Sequence, residues 1–385
     1  MPLVDAIVEA HGELTAWRRE LHRHPETAFE ENWTAAFLAS KLESFGIPFE
    51  TGIARTGIVA TLKGRRGEGP AIALRADMDA LDIAETTNLP WRSSIPGKMH
   101  ACGHDGHMTM LLAAGRHLSA HPDFAGTVYL VFQPAEEMAG GGKVMVEEGL
   151  FERFPARQVF GLHNWPGQAF GSFSGKAGPM LASSDVFEIT VKGRATHAAM
   201  PHLGVDPIAV AGELILALQT IASRRVDPLE AAVVSVTQVH GGDAWNIVPD
   251  EVVLRGTVRS FAPGVRDAIE ARMMQIAQGV CALHGAEARV WYDRRYPATV
   301  NTAPEVAQAL AAAGAVAGDA RVIPDPASSM ASEDFAYMLE KKPGAYLWLG
   351  SGPGPALHNS AYDFNDALLP VGASYWVRLV QHLLG

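Results

Sequence analysis

A nine-residue stretch holds many of the side chains in this sequence that could bind a metal ion. Residues 99–107 contain three histidines, one cysteine and one aspartate. Thiolate, imidazole and carboxylate groups are ligands for soft and borderline cations. A glycine between Cys102 and His104 lets the backbone bend. A polar loop that caps a helix would have a similar composition, but the density of donors favours a metal or catalytic site.

An adjacent pair of glutamates follows a predicted buried strand farther along the chain. The apolar run 127–132 is typical of such a strand, and it leads through residues 133–135 to Glu136 and Glu137. Neighbouring side chains on extended backbone point in opposite directions, so the two carboxylates should do different work. One can bind metal while the other takes a proton from a metal-held water. A solvated pair is the usual alternative, and the preceding strand disfavours it here.

Other possible ligands also stand at the predicted ends of strands. A closed structural zinc site needs four protein ligands, and the candidates are more numerous than that. Two ions that share one ligand and a water would use this many, and a cysteine thiolate could bridge them. The collected candidates are Asp77, Asp79, Cys102, His104, Glu136, Glu137, His163 and His358.

The apolar periodicity predicts an α/β framework that positions these residues. Strands alternate with helices through the first half of the chain, which implies a mostly parallel sheet with helices on both faces. Strands are predicted at 57–62, 71–74, 127–132 and 158–162, and helices at about 3–21 and 31–45. The alternation of strands and helices returns near the end of the chain, with a strand predicted at 345–349 and a last helix at 369–384.

The middle of the chain has a different pattern. Alternating strands and two helices follow the order β-α-β-β-α-β, which resembles a ferredoxin-like α+β unit. The economical interpretation is a catalytic, metal-binding domain formed by residues 1–182 and 295–385 and interrupted by an inserted domain at 183–294.

Composition narrows the possible partners and location. The chain has 385 residues and a formal net charge of −11, which disfavours a nucleic-acid partner. Two cysteines cannot form a disulfide framework, and Cys281 lies in a helical pattern typical of a buried structural thiol. No uncharged apolar run reaches 18 residues, so no membrane span is expected, and the N-terminus does not resemble a signal peptide. These features favour a cytoplasmic protein that binds small molecules.

Ordered motifs along nearly the whole chain resemble one family. They are similar to the hippurate hydrolase and N-acyl-amino-acid amidohydrolase group of the aminoacylase and carboxypeptidase-like dinuclear metallopeptidases. Besides the stretch at 99–107 and the glutamate pair, residues 193–201 read Gly-Arg-Ala-Thr-His-Ala-Ala-Met-Pro. The other matching segments are residues 19–26, 74–81, 133–137, 161–164, 246–249, 256–259, 332–335 and 357–359.

The resemblance implies the reaction and the metal ligands. The activity would be hydrolysis of the amide bond of N-acyl (aroyl or acetyl) amino acids such as hippurate, by a metal-bridging hydroxide. Cys102 would bridge two divalent ions per subunit, zinc or manganese, with cobalt or nickel as alternatives. The wider family often has a metal-binding histidine where this chain has Arg75, and His104 compensates for it. The remaining ligands would be His104, Glu137, His163 and His358.

The resemblance also implies roles for residues that do not bind metal. Glu136 would be the general base and later the proton donor to the leaving amine, and Asp77 a supporting acid beside the metals. His197 of the inserted domain would stabilise the oxyanion, in many relatives from a partner subunit. Asn246 and Arg259 match substrate-binding positions, since a guanidinium suits a free carboxylate. The inserted domain would act as a lid and dimerisation domain of a homodimer or homotetramer.

Several alternatives stay open at this point. The same chemistry would serve a dipeptidase or carboxypeptidase, an indole-acetyl-amino-acid hydrolase or an N-acetyl-diaminopimelate deacetylase. A metal-free hydrolase with Cys102 as nucleophile would use a different mechanism. A non-enzymatic binding protein is disfavoured because every expected ligand and the base are present.

Overall fold

Helices and strands alternate along most of the chain, and the computed structural model describes residues 1–385. The strands are β1 (Phe49–Ile53), β2 (Gly57–Lys63), β3 (Ala71–Asp77), β4 (Thr127–Gln133), β5 (Gln158–Pro166), β6 (Phe173–Ser174), β7 (Gly178–Leu181), β8 (Asp185–Lys192), β9 (Thr196–His197), β10 (Ala232–His240), β11 (Ile247–Val248), β12 (Glu251–Ser260), β13 (Glu287–Arg294), β14 (Thr299–Asn301), β15 (Val322–Ile323) and β16 (Gly344–Gly352).

The helices include the predicted periodic segments, but the single helix predicted at about 3–21 is two helices that are separated at Ala10. They are α1 (Asp5–Glu9), α2 (His11–Arg23), α3 (Asn32–Ser44), α4 (His104–Ala120), α5 (Gly141–Glu147), α6 (Leu150–Arg153), α7 (Pro207–Arg224), α8 (Pro263–Leu283), α9 (Ala303–Ala317), α10 (Ala336–Leu339) and α11 (Leu369–Leu384). Single turns of 3₁₀ helix occur at Pro201–Leu203, Asp319–Arg321 and Asp366–Leu368. No helix is both long enough and apolar enough to cross a membrane.

Contacts divide the chain into two units. The first comprises residues 1–180, 299–327 and 333–385, and the second comprises residues 181–298 and 328–332. The predicted domain boundaries, and the role of the middle segment as a lid and dimerisation domain, stay predictions.

The first unit is organised around an eight-stranded mixed sheet of order β1-β2-β4-β3-β5-β16-β6-β15. Its centre, β4-β3-β5-β16, is parallel, whereas β1, β2 and the β16–β6 pair are antiparallel. Strand β1 was not predicted, because its residues are mostly exposed and polar. The predicted α/β class is confirmed, with antiparallel strands added on both sides of the parallel centre.

Both faces of this sheet are buried because its central strands are almost continuously apolar. Alternate residues such as Leu74 and Leu130 join a core formed with α2, α4, α9 and α11. Their neighbours Ala73 and Val131 point to the opposite face and are buried as well. Burial on both faces leaves the strand ends as the places where polar side chains can collect.

The second unit has a four-stranded antiparallel sheet of order β10-β12-β8-β13. Helices α7 and α8 pack on one face, around a core that includes Phe187, Leu214 and Met273. The elements follow the predicted order β-α-β-β-α-β. Cys281 of α8 is 1% exposed, in agreement with the predicted buried thiol.

Candidate metal centre

Parallel pairing brings the predicted donor residues to one edge of the large sheet. Strands β4, β3, β5 and β16 are parallel neighbours, so their C-terminal ends lie together. Asp77 is the last residue of β3, and Glu136 and Glu137 follow the end of β4. His163 lies in the second half of β5, and His104 is the first residue of α4.

Four groups of side chains offer ligand atoms to a cation, and two of these groups share Glu137. One contains Cys102, Glu137 and His358, and the other contains His104, Glu136 and Glu137. Within each group the ligand atoms all lie within 4.8 Å of one another. Glu137 belongs to both, because its Oε1 is 3.3 Å from His358 Nε2 and 3.8 Å from His104 Nε2. Such sharing is what two neighbouring ions require.

Backbone carbonyls orient two of the imidazoles. His104 Nδ1 donates to the carbonyl oxygen of Asp79 at 2.8 Å, and His163 Nδ1 donates to the carbonyl oxygen of Asn164 at 2.7 Å. Each ring therefore leaves Nε2 as the nitrogen that is available to a metal ion. His163 Nε2 lies 3.3 Å from Cys102 Sγ. All five predicted metal ligands are thus brought together, with the predicted base beside them.

Two buried atoms of the predicted metal ligands have no hydrogen-bond partner. They are His104 Nε2 and Glu137 Oε1. Buried polar atoms in proteins are nearly always paired, so an unpaired nitrogen and oxygen within 3.8 Å of each other are suited to bind a cation. Thiol, imidazole and carboxylate donors also suit borderline divalent ions. The residues therefore fit two divalent ions better than one closed four-ligand site.

The electrostatics of the site also favour cation binding. Burial and the nearby carboxylate of Glu137 raise the pKa of the Cys102 thiol well above its usual range. Burial alone would lower the pKa of His104, but the carboxylate of Asp77 and others outweigh it and raise the pKa to about 10. Both groups thus hold protons in the absence of metal. Because metal ligands must be deprotonated, loading the site releases protons.

Asp79 supports two metal ligands at once, a role that the sequence did not reveal. Its carbonyl oxygen orients His104, and its Oδ2 accepts a hydrogen bond from the backbone N–H of Glu137 at 3.0 Å. Asp79 was a candidate ligand in the sequence. Its spacing of two residues from Asp77 signalled a site at the strand end, but not the backbone contacts that give it this positioning role.

His107 is fully engaged with other side chains. Its Nδ1 lies 2.6 Å from Asp77 Oδ1, and its Nε2 lies 2.6 Å from Asn164 Oδ1. Asn164 Nδ2 in turn donates to the hydroxyl of Tyr362 at 2.7 Å. The carboxylate of Asp77 is therefore held beside the predicted metal ligands, and its role as a supporting acid stays a prediction.

Gly103 lets Cys102 and His104 both reach the site. Its φ is +94°, a conformation that disfavours residues with a side chain. A Cβ here would lie 2.3 Å from Asn164 Oδ1 and 2.8 Å from the Tyr362 hydroxyl. The glycine that the sequence marked as a bend is thus required for both conformation and space.

Arg75 is a buried arginine that binds several carboxylates next to the predicted metal site. It is 2% exposed and donates to Gln133 Oε1 and Asp77 Oδ2, at 2.8 and 2.7 Å. It also donates to Glu333 Oε1 at 2.8 Å and to Asp334 Oδ1 at 3.0 Å. The guanidinium therefore compensates the charges of three buried carboxylates. None of its hydrogen bonds goes to the five metal ligands that the family resemblance implies.

Replacing Arg75 by leucine should lower the free energy of unfolding by about 3–5 kcal/mol, because it leaves three buried carboxylates without their counter-charge. Urea titration of the metal-loaded protein measures the loss. The control is Arg153→Leu, which breaks a 2.7 Å ion pair with Glu50 whose side chains are 43% and 57% exposed. That exposed pair should contribute only about 0–1 kcal/mol. Equal losses in the two variants would contradict the compensation by Arg75.

The three predicted residues of the middle segment all lie in the second unit. His197 pairs with Ile247 between β9 and β11, and the carbonyl oxygen of Asn246 accepts from the N–H of Ala198 at 2.9 Å. His197 and Asn246 are therefore neighbours on one short ribbon. Arg259 lies on β12, where its Nη1 donates to the carbonyl oxygen of Val258 at 2.9 Å. Their roles in catalysis and substrate binding stay predictions.

Comparison with known proteins assigns the chain to a family. A model of the peptidase family M20/M25/M40 matches residues 73–382. The chain is 41% identical over 384 residues to a hippurate hydrolase of Campylobacter jejuni, with 100% of both chains covered. It is 39% identical over 377 residues to an N-acetylcysteine deacetylase of Bacillus subtilis, with 97% of both covered.

Comparison with a solved structure indicates the same family. The Bacillus subtilis YXEP protein, described as a dinuclear metal binding peptidase from the M20 family, superimposes with a TM-score of 0.85. The two chains are 36% identical, and 98% of each is covered. The resemblance read from the sequence motifs is confirmed, and the chain belongs to the peptidase family M20/M25/M40.

Proposed function

We propose that this protein is a dinuclear metal-dependent amidohydrolase that cleaves N-acyl amino acids such as hippurate into a carboxylic acid and a free amino acid. The observation that carries the proposal is the 41% identity to a hippurate hydrolase over the whole of both chains. The N-acetylcysteine deacetylase relative, at 39% identity, also acts on an N-acyl amino acid. Hydrolysis of an N-acyl amino acid is common to these two relatives, whereas their names differ in the acyl group and the amino acid.

Five residues would hold the ions. Their donor types favour zinc or manganese, and cobalt or nickel would also be accepted. Two divalent ions, when bound, activate the attacking water and polarise the acyl carbonyl. The ligands are Cys102, His104, Glu137, His163 and His358.

Glu136 would carry the proton through the reaction. It is 6% exposed, and burial together with the carboxylates around it raises its pKa well above the usual range. A carboxylate with a high proton affinity is suited to take a proton from water and return it to the leaving amine. Asp77 would support the site through its bonds to His107 and Arg75.

The second unit would supply the substrate contacts. His197 would donate a hydrogen bond to the oxyanion of the tetrahedral intermediate. Asn246 and Arg259 would bind the amino-acid part, with the guanidinium on its carboxylate. We further propose that the protein is cytoplasmic, because it has few cysteines. We also propose that it is a homodimer or homotetramer, because of the family resemblance.

A turnover screen of the metal-reconstituted protein tests the proposed function. The substrates are hippurate, N-acetyl amino acids, N-acetyl-diaminopimelate and dipeptides, and release of the free amine is measured. We expect hippurate or an N-acetyl amino acid to have the highest kcat/KM. Faster cleavage of dipeptides or of N-acetyl-diaminopimelate would instead select one of those alternatives.

Metal removal separates the proposed mechanism from a thiol mechanism. A chelator should abolish turnover, and added zinc or manganese should restore it. Activity that survives the chelator but is lost on alkylation of the cysteines would indicate that Cys102 is the nucleophile.

A further inference from the structure

Glu31 is a buried carboxylate that no step of the proposed mechanism uses. It is 0% exposed and immediately precedes α3. Its Oε2 accepts a hydrogen bond from the hydroxyl of Thr56 at 2.6 Å, and its Oε1 accepts from the backbone N–H of Ala135 at 2.9 Å. Burial, and less strongly the charge of Asp79, raise the pKa of Glu31 to about 7. Burial of a carboxylate costs free energy, so the position of Glu31 calls for a functional or structural explanation.

Ala135, its backbone partner, has an unusual conformation. Its φ is +55°, in the left-handed region, and it is fully buried. A residue with a Cβ is disfavoured there and stays in that region only when the surrounding structure holds it. Its N–H is bound by Glu31, and its carbonyl oxygen accepts from the N–H of Gly141 at 3.0 Å. Ala135 is thus held through both its N–H and its carbonyl oxygen.

The position of Ala135 gives this conformation a functional meaning. It directly precedes Glu136 and Glu137 in a loop of residues 134–140, here called the catalytic loop. The left-handed residue lies between β4 and the turn that carries both glutamates, so its conformation affects the direction in which they point. Asp79 fixes the other end of the pair through the N–H of Glu137.

Capping of α3 does not explain Glu31. The N–H groups in the first turn of α3 are bound by another carboxylate, Glu26, whose oxygens accept from Trp33 at 3.0 Å and Thr34 at 2.8 Å. The side chain of Glu31 makes no bond to its own helix and reaches instead to Thr56 and Ala135.

We propose that Glu31 is a positioning residue for the reaction: its carboxylate holds Ala135 in the left-handed conformation and thereby aims the general base Glu136 and the metal ligand Glu137. The proposal rests on the roles given to these two glutamates under the proposed function. Because displacement of a catalytic group by about 1 Å can cost about a hundredfold in rate, loss of this contact should appear in kcat.

The test compares four variants at saturating metal. Glu31→Leu removes the acceptor and should lower kcat about 10- to 100-fold, with little change in KM. Glu31→Gln keeps an acceptor oxygen for Ala135 and should recover most of that loss. Adding Ala135→Gly to Glu31→Leu should raise kcat about fivefold or more, because glycine adopts a positive φ without strain. The control Glu26→Ala removes only the helix cap and should lower Tm but leave kcat unchanged.

Two results would overturn the proposal: a kcat for Glu31→Leu within threefold of wild type, or no gain from Ala135→Gly. If Glu31→Leu does not fold, Thr56→Val removes the hydroxyl that holds Oε2 and should lower kcat at least threefold, and an unchanged kcat would overturn the proposal equally.

The experiment also distinguishes failure of the proposed function from failure of the role proposed for Glu31. Wild-type protein without amidase activity contradicts that function and leaves Glu31 to be tested by metal affinity. Since Glu137 lies on the catalytic loop, Glu31→Leu should weaken metal binding about tenfold, which metal titration measures. Unchanged affinity in that variant would overturn the role of Glu31.

Discussion

Replacing Glu136 by glutamine should remove nearly all turnover and leave two metal ions bound per chain. Glutamine keeps the shape of the side chain but cannot accept and return a proton. General acid–base catalysis contributes about 10²- to 10⁴-fold, and this residue would act in both directions, so we expect a loss near the upper end of that range. Steady-state kcat and metal content per chain, measured on the same sample, check the prediction.

The neighbouring carboxylate supplies the matched control. Glu137 Oε1 lies 3.3 Å from His358 Nε2 and belongs to two of the groups of metal donors. Glu137→Gln should therefore lower metal content, whereas Glu136→Gln should not. Near-normal activity in Glu136→Gln would contradict the assignment of Glu136 as the base. Equal loss of metal in both variants would contradict the proposal that Glu137 binds metal and Glu136 does not.

Replacing Cys102 by serine should disturb the pairing of the two ions more than any other single change. Cys102 contributes the only thiol of the site, next to His163 on one side and in one donor group with Glu137 and His358. A serine hydroxyl keeps its proton at neutral pH and is a poor ligand. Substitutions in the shell around a metal already cost about 10- to 100-fold in affinity, so loss of a ligand should cost at least about 100-fold for one ion.

Metal titration and the charge-transfer absorption of a cobalt-loaded sample measure this effect. A thiolate bound to cobalt gives an absorption band that Cys102→Ser should lose. The other cysteine, Cys281, is buried in α8 of the second unit, so Cys281→Ser should keep the band and two ions. Unchanged stoichiometry and affinity in Cys102→Ser would show that the thiol does not bridge the ions.

Much of the metal site could be predicted because its residues stand at strand ends. A buried strand is an apolar run, and a polar residue directly after it marks the edge of a parallel sheet. Asp77, Glu136, Glu137 and His163 come shortly after predicted apolar runs, so the sequence indicated both their chemistry and their approximate meeting place. Two strands extend farther than predicted, since Asp77 is the last residue of β3 and His163 lies within β5.

The partners of these residues could not be predicted, because sequence patterns do not encode long-range contacts. Arg75 reaches Glu333 from 258 positions away, and Glu31 reaches Ala135 from 104 positions away. The role of Asp79 depends on backbone atoms, which every residue has. Strand β1 escaped prediction for a related reason: it lies at the edge of the sheet and has little apolar patterning.

The place of β16 in the sheet affects how the protein is made. This strand, residues 344–352, lies between β5 and β6, which are synthesised much earlier. At about 5–20 residues per second, roughly 9–35 s pass between the emergence of β5 and that of β16. During that time β5 has an unpaired apolar edge, the kind of surface that promotes aggregation of nascent chains. His358 emerges after β16, so the predicted set of metal ligands is complete only once β16 has been made, and we expect metal insertion to follow the pairing of this strand.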